Sequence, residues 1–356
     1  MGRTGPDGER PPGPSRYRRR VHTGSARVSN ANPESPSTAP ALGGFAATFE
    51  AIAANVERVV KGKRRLVRLL LLCLFAEGHV LLRDPPGAGK TVLAKTVART
   101  LGLEFGRVQF TPDLLPSDVV GVSLWNPVRN GFEFRPGPVF AGLLLADEIN
   151  RTSPRTQSAL LEAMAERQVT VDGTTHRLAS PFLVIATENS EEIEGTFPLP
   201  TSQVDRFLMS LSAGFPDRAA EAEILDSHLA GDPLEDLAAV TDTASVQAMI
   251  EAARAVHVAP AVRDYLVDLA FNSRAHGAIA GGMSPRAVLG LQRVAQVRAA
   301  AASRNFVLPD DVKDVARPIL LHRITLHQSA QFNGMTPAAV IEEILTDTPS
   351  PPVSVR

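Results

Sequence analysis

An eight-residue glycine-rich segment, residues 84–91, constrains this chain more than any other feature. It reads Asp84-Pro85-Pro86-Gly87-Ala88-Gly89-Lys90-Thr91. The segment lies between an apolar stretch at 79–83, which predicts a short buried strand, and a helical pattern over Lys90–Leu101. In that setting, glycines let the backbone wrap a polyphosphate, while the lysine and the amides at the helix N-terminus meet its oxygens. The segment therefore predicts a phosphate-binding loop.

Most residues of this loop have an expected part in holding a nucleotide. Lys90 is expected to reach the β- and γ-phosphates, and the Thr91 hydroxyl to bind Mg²⁺. The backbone cradle is expected at Pro86, Gly87, Ala88 and Gly89. Asp84 stands where loops of the G-x-x-x-x-G-K-[ST] type begin with glycine, and a carboxylate near a polyphosphate repels it. We therefore expect Asp84 to weaken nucleotide binding at worst.

Two further apolar stretches, each predicted to form a strand, lead into polar side chains. The first, Leu143–Asp147, delivers Asp147 and Glu148 to the carboxyl edge of a sheet, where open α/β folds hold ligands. Asp147 is expected to orient the Mg²⁺ shell, and Glu148 to polarise the water that attacks the terminal phosphate. The second stretch, 182–187, leads to Asn189, a candidate to hydrogen-bond that water or the γ-phosphate.

The alternation of strand and helix patterns predicts an α/β domain with a parallel sheet and helices on both faces. A helix is predicted over 153–167, because Ser153 followed by Pro154 is a typical helix start. Asp172-Gly173 lies between β-prone flanks and predicts a hairpin over 168–178.

Helices are predicted on either side of this domain. The first follows from apolar residues spaced three or four apart, namely Phe45, Phe49, Ile52, Val56 and Val59. A second is predicted over 64–77, ended by Gly78 with a positive φ. Beyond residue 216 the strand patterns cease, and an all-helical unit is predicted with helices near 217–229, 243–256, 260–276, 284–303, 309–320 and 336–346. The predicted domains are therefore an α/β core over 44–214 and a helical unit over 215–346.

Composition excludes several classes of protein. Residues 1–43 are rich in Pro, Gly, Ser and Arg, with seven Arg against three acids, and this predicts a disordered tail, as we expect also for 347–356. The other residues carry 30 basic and 35 acidic side chains, a balance unfavourable for general nucleic-acid binding. The single cysteine, Cys73, excludes an intramolecular disulfide and fits a reducing compartment. The longest apolar run, 69–76, is shorter than the roughly 20 residues of a transmembrane helix, so we expect a cytoplasmic protein without a transmembrane segment.

Longer blocks of sequence resemble the AAA+ ATPases, and within them the MoxR family, over roughly residues 45–345. These blocks are FTPDLLPSD (110–118), FRPGP (134–138), LLLADEINR (143–151), TQSALLEAM (156–164), VIAT (184–187), DRF (205–207) and SPRA (284–287). The resemblance implies a three-layer P-loop AAA+ domain followed by an all-helical lid. It also implies Walker A at 84–91, Walker B at Asp147-Glu148, and sensor 1 at Asn189.

Two arginines gain roles only through this resemblance. It implies an arginine finger at Arg206, which reaches the nucleotide of a neighbouring subunit, and a sensor 2 at Arg286 on the lid. Arg151 is a competing candidate for the finger. Each guanidinium would offset charge that develops on the transferred phosphoryl group. A finger supplied by a neighbour implies a ring oligomer, commonly a hexamer.

Three other segments also resemble parts of these ATPases. The loop with Val60 and Gly62 resembles the one that lines the adenine pocket. Region 111–138, with Asn130-Gly131 as its hairpin turn, resembles the insert in helix 2 that marks one clade. The hairpin at 168–178 resembles the one that precedes sensor 1. Both hairpins are expected to face a pore or a client.

The resemblance implies a Mg²⁺-dependent ATPase that assists maturation or cofactor insertion of a partner protein. Such partners typically contain a von Willebrand factor A domain. One alternative is a nucleic-acid motor, since the same clade includes such motors; the five lysines of the chain disfavour it, and salt-sensitive DNA binding with DNA-stimulated hydrolysis would indicate it. Another is a nucleotide-gated scaffold with weak hydrolysis, which Asp84 suggests.

Overall fold

The protein alternates strands and helices in its first part and is mostly helical in its second. The computed structural model describes residues 1–2, 39–85, 87–189, 195–229 and 231–352. Its strands there are β1 (Val80–Arg83), β2 (Phe105–Gln109), β3 (Gly121–Asn126), β4 (Gly131–Pro136), β5 (Leu143–Asp147), β6 (Gln168–Val171), β7 (Thr174–Arg177), β8 (Leu183–Glu188), β9 (Met209–Leu211), β10 (Ile279–Gly281) and β11 (Thr325–Leu326). Its helices are α1 (Ala39–Glu57), α2 (Arg64–Phe75), α3 (Lys90–Leu101), α4 (Pro116–Val120), α5 (Pro154–Glu166), α6 (Thr201–Val204), α7 (Arg218–Leu229), α8 (Thr243–Arg254), α9 (Pro260–Ala275), α10 (Pro285–Ala301), α11 (Pro309–Leu320), α12 (Gln328–Phe332) and α13 (Pro337–Asp347).

A five-stranded sheet in the order β2-β5-β8-β1-β9 forms the centre of the core, and its paired strands are parallel. Every residue of β5 is buried, and β8 is buried up to its last residue. Such strands read as continuous apolar runs because both of their faces are covered. The predicted α/β fold with a parallel sheet is confirmed.

Two apolar clusters cover the faces of this sheet. One contains residues of α1, α2 and α3 and continues into α8, α9, α10, α11 and α13. The other lies around α4 and α5. The described residues from Ala39 onward belong to one compact unit, and α10 packs directly on α1 and α2. None of the described helices is both long enough and apolar enough to span a bilayer.

The second part and the ends of the chain differ from the sequence expectations. The helical unit also contains an antiparallel pair, β10 with β11, whose strands are too short to leave a period in the sequence. Helix α1 begins at Ala39, inside the tail predicted over 1–43, and Pro40 lies in its first turn, where proline is tolerated. Thr348 is buried and accepts a hydrogen bond from Asn272 Nδ2 at 2.9 Å, so packing continues past residue 347. Tail residues 3–38 and 353–356 lie outside the described residues.

Two β-hairpins lie outside the central sheet. In the β6–β7 hairpin, Asp172 and Gly173 have φ of 48° and 78°, which fits the predicted two-residue turn. In the β3–β4 hairpin, Asn130 has φ of 48° but Gly131 already pairs as the first residue of β4, so the turn covers residues 127–130. The Phe134 ring of β4 stacks on the His176 ring of β7, with centroids 3.8 Å apart, and this contact joins the two hairpins.

The end of α2 also differs from the prediction. Glu77, not Gly78, has the positive φ, 55°. Gly78 is required for space instead, because a Cβ there would lie 2.1 Å from Cδ2 and 2.5 Å from Cβ of Leu208.

We expect Gly78→Ala to lower the free energy of unfolding by about 1–3 kcal/mol through overpacking, as measured by urea denaturation. Gly277→Ala is the matched control, since nothing lies within 4 Å of a Cβ at that position. Equal stability of the two variants would contradict this account.

Candidate functional site

The loop after β1 has a backbone that a ligand can approach closely. Gly87 and Gly89 have φ of 81° and 80°, and nothing lies within 4 Å of a Cβ built on either residue. Glycine adopts such angles without strain, and the open space gives an anion access to the amides. Gly89 is the N-cap of α3 and supplies no side-chain cap, which leaves the first helical N–H groups for a ligand. Lys90 Nζ donates to the Asp84 carbonyl at 2.9 Å. Pro86 lies outside the described residues.

The Asp84 carboxylate, at the position usually held by glycine, is fully buried and hydrogen-bonded to the segment after β9. It accepts from Ser212 Oγ at 2.8 Å, from the Ala213 N–H at 2.7 Å and from the Gly214 N–H at 2.8 Å. Hydrogen bonds from backbone amides stabilise the charged form of a carboxylate. The carboxylate therefore joins the start of the loop to the chain that leads into α7. The carboxylate is thus committed to a structural contact, and its donors lie on the segment after β9.

Lys63, just before α2, supports the same junction. Its Nζ donates to the Ala88 carbonyl at 2.8 Å and to the Gly214 carbonyl at 2.9 Å. Burial lowers the pKa of Lys63, and the nearby charge of Asp84 opposes this shift. One lysine thus connects the phosphate-binding loop with the segment after β9.

The acidic pair lies at the carboxyl end of β5 and is held from β8. Asp147 Oδ1 accepts a hydrogen bond from Thr187 Oγ1 at 2.7 Å, and Oδ2 accepts one from Arg107 Nη2 at 2.8 Å. Glu148 has a positive φ of 58°, and its N–H donates to the Thr187 hydroxyl at 2.8 Å. A fully buried threonine therefore fixes the backbone of one acid and the side chain of the other.

The Glu148 carboxylate and Asn189 have their own partners. Glu148 Oε2 accepts from Gln109 Nε2 at 2.8 Å and from Arg151 Nη1 at 3.0 Å. Arg151, the competing candidate for the arginine finger, thus forms an ion pair with Glu148 of its own chain. Asn189 is buried, and its backbone carbonyl accepts a hydrogen bond from Asn150 Nδ2 at 3.2 Å.

The sheet order brings the three predicted motifs together. Strands β5, β8 and β1 are neighbours, and the acidic pair, Asn189 and the loop follow their carboxyl ends. The residues present suit Mg²⁺, since the Thr91 hydroxyl and the Asp147 carboxylate offer the hard oxygen ligands that this ion prefers. The strand order therefore places the acidic pair, Asn189 and the loop at one edge of the sheet.

A cavity of about 330 Å³ adjoins the loop and has the size of a nucleotide-base pocket. Val60 lines it, as expected, together with Ile224 and His228 of α7. Gly62 is not among the lining residues of this cavity. It has φ of 68°, and a Cβ there would lie 2.6 Å from the Ala220 Cβ, so this glycine permits close approach of α7.

A second cavity, of about 580 Å³, contains both predicted arginines. Arg206 and Arg286 line it together with His79 and Leu208, which directly precede β1 and β9. The cavity therefore lies at the amino edge of the sheet, whereas the loop follows the carboxyl end of β1. Arg286 does not line the cavity beside the loop of its own chain.

The arginine cavity is strongly basic. Its arginines are Arg167, Arg206, Arg254, Arg286, Arg293 and Arg323. Arg167 and Arg254 pair with Glu77, and Arg323 Nε donates to Asp205 Oδ1 at 2.7 Å. Among the residues that the structure describes, Arg206, Arg286 and Arg293 have no acidic partner within 4.0 Å. Burial lowers the pKa of His79 to about 4, so this ring adds no charge at neutral pH.

Sequence reasoning missed several residues of the site. Lys63, Arg107 and Gln109 lie in no motif. Gly214, which accepts from Lys63, and Ala213, which donates to Asp84, follow these residues by 151 and 129 positions. Thr187 ends a predicted strand but carries no signal for its contact with both acids. The pairing of β2 with β5 brings Arg107 and Gln109 to the acidic pair, and the pairing of β5 with β8 brings Thr187 to it.

Comparisons with known proteins match this arrangement. The family model described as "ATPase family associated with various cellular activities (AAA)" matches residues 79–209, and that of the AAA lid domain matches residues 272–344. Chaperone MoxR1 of Mycobacterium tuberculosis is 37% identical over 340 residues, which cover 93% of this chain and 90% of that protein. The chain belongs to the MoxR family of AAA+ ATPases.

Other relatives extend the likeness over most of the chain. Protein MoxR of Paracoccus denitrificans is 34% identical, over 79% of this chain and 89% of its own length. YeaC of Bacillus subtilis is 44% identical over 292 residues, 82% of this chain and 91% of its own. The solved structure of a candidate ATPase from Cytophaga hutchinsonii is 36% identical, with a TM-score of 0.82 and coverage of 89% of this chain and 98% of that one.

Proposed function

We propose that this MoxR-family protein is a Mg²⁺-dependent ATPase that uses hydrolysis to remodel a protein client, assisting its maturation or cofactor insertion. One observation carries the proposal. The open glycine loop, the acidic pair and Asn189 share the carboxyl edge of three neighbouring strands, where a triphosphate bound by the loop would meet both acids.

Within this proposal the loop residues bind and the acids act on the water. Gly87, Ala88 and Gly89 present amides to the phosphates, and Lys90 neutralises the β- and γ-phosphate oxygens. Thr91 and Asp147 hold Mg²⁺, which when bound offsets the charge of the triphosphate. Glu148 accepts a proton from the attacking water, and Asn189 orients that water or the γ-phosphate.

We further propose that Arg206 and Arg286 act on the nucleotide of a neighbouring subunit. Both lie at the edge of the sheet opposite their own loop, and neither has an acidic partner among the described residues. A site on one subunit that completes a loop on the next is a heterologous contact, and such contacts build a ring when the rotation between subunits closes. This supports a ring oligomer, and a hexamer is the form we propose. Arg151 is the weaker finger candidate because it pairs with Glu148 of its own chain.

The client and the cellular setting belong to the same proposal. One relative is named a chaperone, which supports a protein client. A partner with a von Willebrand factor A domain and a cytoplasmic location are proposed from the resemblance and from the single cysteine. The hydrogen bonds of the Asp84 carboxylate give this residue a structural role, which favours the hydrolysing protein over the weakly hydrolysing scaffold. No described feature favours a nucleic-acid motor.

Mixing two inactive variants tests the shared site. Lys90→Ala and the double variant Arg206→Ala with Arg286→Ala are each expected to lose ATP hydrolysis. Mixed rings contain interfaces where an intact loop meets intact arginines, so mixing is expected to restore a part of the phosphate release. Arg263→Gln, at an exposed position on α9, is the control and should retain full activity. A mixture as inactive as its components would refute a site shared between subunits.

A further inference from the structure

Arg107 of β2 contacts the acid that the proposed function assigns to the metal. In the register of the parallel pair, Arg107 lies beside Leu145, and Gln109 lies beside Asp147. The Arg107 side chain reaches forward along the strand, and its Nη2 donates to Asp147 Oδ2 at 2.8 Å and to Gln109 Oε1 at 3.0 Å. An edge strand thus supplies a cation to the acidic pair of its neighbour.

The two oxygens of Asp147 have partners of different kinds. Oδ1 accepts from the buried Thr187 hydroxyl, which lies within the sheet and also holds the Glu148 N–H. Oδ2 accepts from Arg107, whose side chain is 45% exposed, against 12% for that of Asp147. The threonine contact is therefore fixed, whereas the arginine can move into solvent and release its oxygen.

A Mg²⁺ ion and a guanidinium compete when both contact the same carboxylate oxygen. Mg²⁺ requires near-octahedral ligands at about 2.0–2.1 Å. A guanidinium within hydrogen-bond distance of the same oxygen takes part of that space, and it repels a divalent cation at such short range. Among the described residues, Arg107 is the basic residue that pairs with Asp147.

We propose that Arg107 competes with Mg²⁺ for Asp147 and thereby sets the Mg²⁺ concentration at which the nucleotide site loads. This inference rests on the proposed nucleotide site. Arg107 is a positioning residue in this account: it orients Asp147 and balances its charge until Mg²⁺ and ATP bind together, and it then moves away from Oδ2. The contact with Gln109 keeps the displaced side chain near the site.

The test measures nucleotide binding as a function of Mg²⁺ in the full-length protein. The probe is ATP with a fluorescent methylanthraniloyl group, titrated against wild type, Arg107→Gln and the charge-matched control Arg263→Gln. A partly exposed ion pair is weak, so we expect Arg107→Gln to reach half-maximal binding at about two- to five-fold lower free Mg²⁺. Mn²⁺ uptake, followed by loss of the free-ion EPR signal, gives a second readout that does not depend on turnover.

The other outcomes distinguish failure of the role of Arg107 from failure of the proposed function. An unchanged or higher Mg²⁺ midpoint for Arg107→Gln overturns the role of Arg107 and leaves the ATPase proposal standing. An equal shift in Arg263→Gln also overturns it, because the effect would then follow net charge alone. Wild-type protein that binds no nucleotide at any Mg²⁺ concentration overturns the proposed function and this inference together. Arg107→Lys keeps the charge without the planar fork and is expected to fall between Arg107→Gln and wild type.

Discussion

Replacing Glu148 with glutamine is expected to lower the rate of ATP hydrolysis by about two to four orders of magnitude while nucleotide binding persists. Glutamine has the size of glutamate and can still contact Gln109, but its amide cannot accept a proton from water at neutral pH. Lys90 and the loop glycines are unaffected, so the triphosphate remains bound. Phosphate release measures hydrolysis, and fluorescence of methylanthraniloyl-ATP measures binding.

Glu162→Gln provides the matched control, because it makes the same chemical change at an exposed position of α5. It should hydrolyse ATP as wild type does. Undiminished turnover by Glu148→Gln would show that another group activates the water. Loss of nucleotide binding in the same variant would instead show that Glu148 supports the site structurally.

Replacing Asp84 with glycine, the usual residue at this position, is expected to destabilise the protein rather than activate it. The change removes a buried carboxylate that accepts from Ser212 and from the Ala213 and Gly214 amides. It also removes the negative charge near Lys63, whose pKa burial already lowers. Hydrogen bonds to a charged group contribute about 1.5–3 kcal/mol each, but water can reach part of this segment, so we expect a loss of about 2–4 kcal/mol. Urea denaturation measures it.

Ser212→Ala removes one of these hydrogen bonds and should cost only about 1 kcal/mol. ATP hydrolysis by Asp84→Gly, measured below its unfolding midpoint, is expected to fall or stay level because the loop loses its tie to the segment after β9. A stable Asp84→Gly variant with faster hydrolysis would contradict this account. It would also revive the weakly hydrolysing scaffold.

Much of the fold was predictable because local sequence patterns specify where helices and strands begin and end. The bounds of α3 and β5 agree with their predicted ranges, since Gly102 stops the first and an apolar run defines the second. Strands β2 and β9 were not predicted. They are the edge strands of the central sheet, so they are short or partly exposed and leave no continuous apolar run.

The position of Arg286 could not be derived from its motif. The SPRA block predicts a helix start, and Ser284 indeed caps α10. Which cavity Arg286 enters depends on how α10 packs against α1 and α2. That packing places it with Arg206 at the amino edge of the sheet, which is why we propose that this arginine acts on the nucleotide of a neighbour.

By itself, the sequence determined the chemistry: which residues can bind phosphate, which acids end a strand and where the helices begin. These depend on residue type and short spacing, which the chain carries locally. The tertiary structure decided which distant groups meet: Asp84 with the amides after β9, Arg107 with Asp147, and Arg206 with Arg286 in one cavity. Such contacts join residues far apart in the sequence; Asp84 and Ala213, for example, are 129 positions apart. They form only because burial of apolar side chains brings strands and helices together, a driving force that has no direction and leaves no local motif.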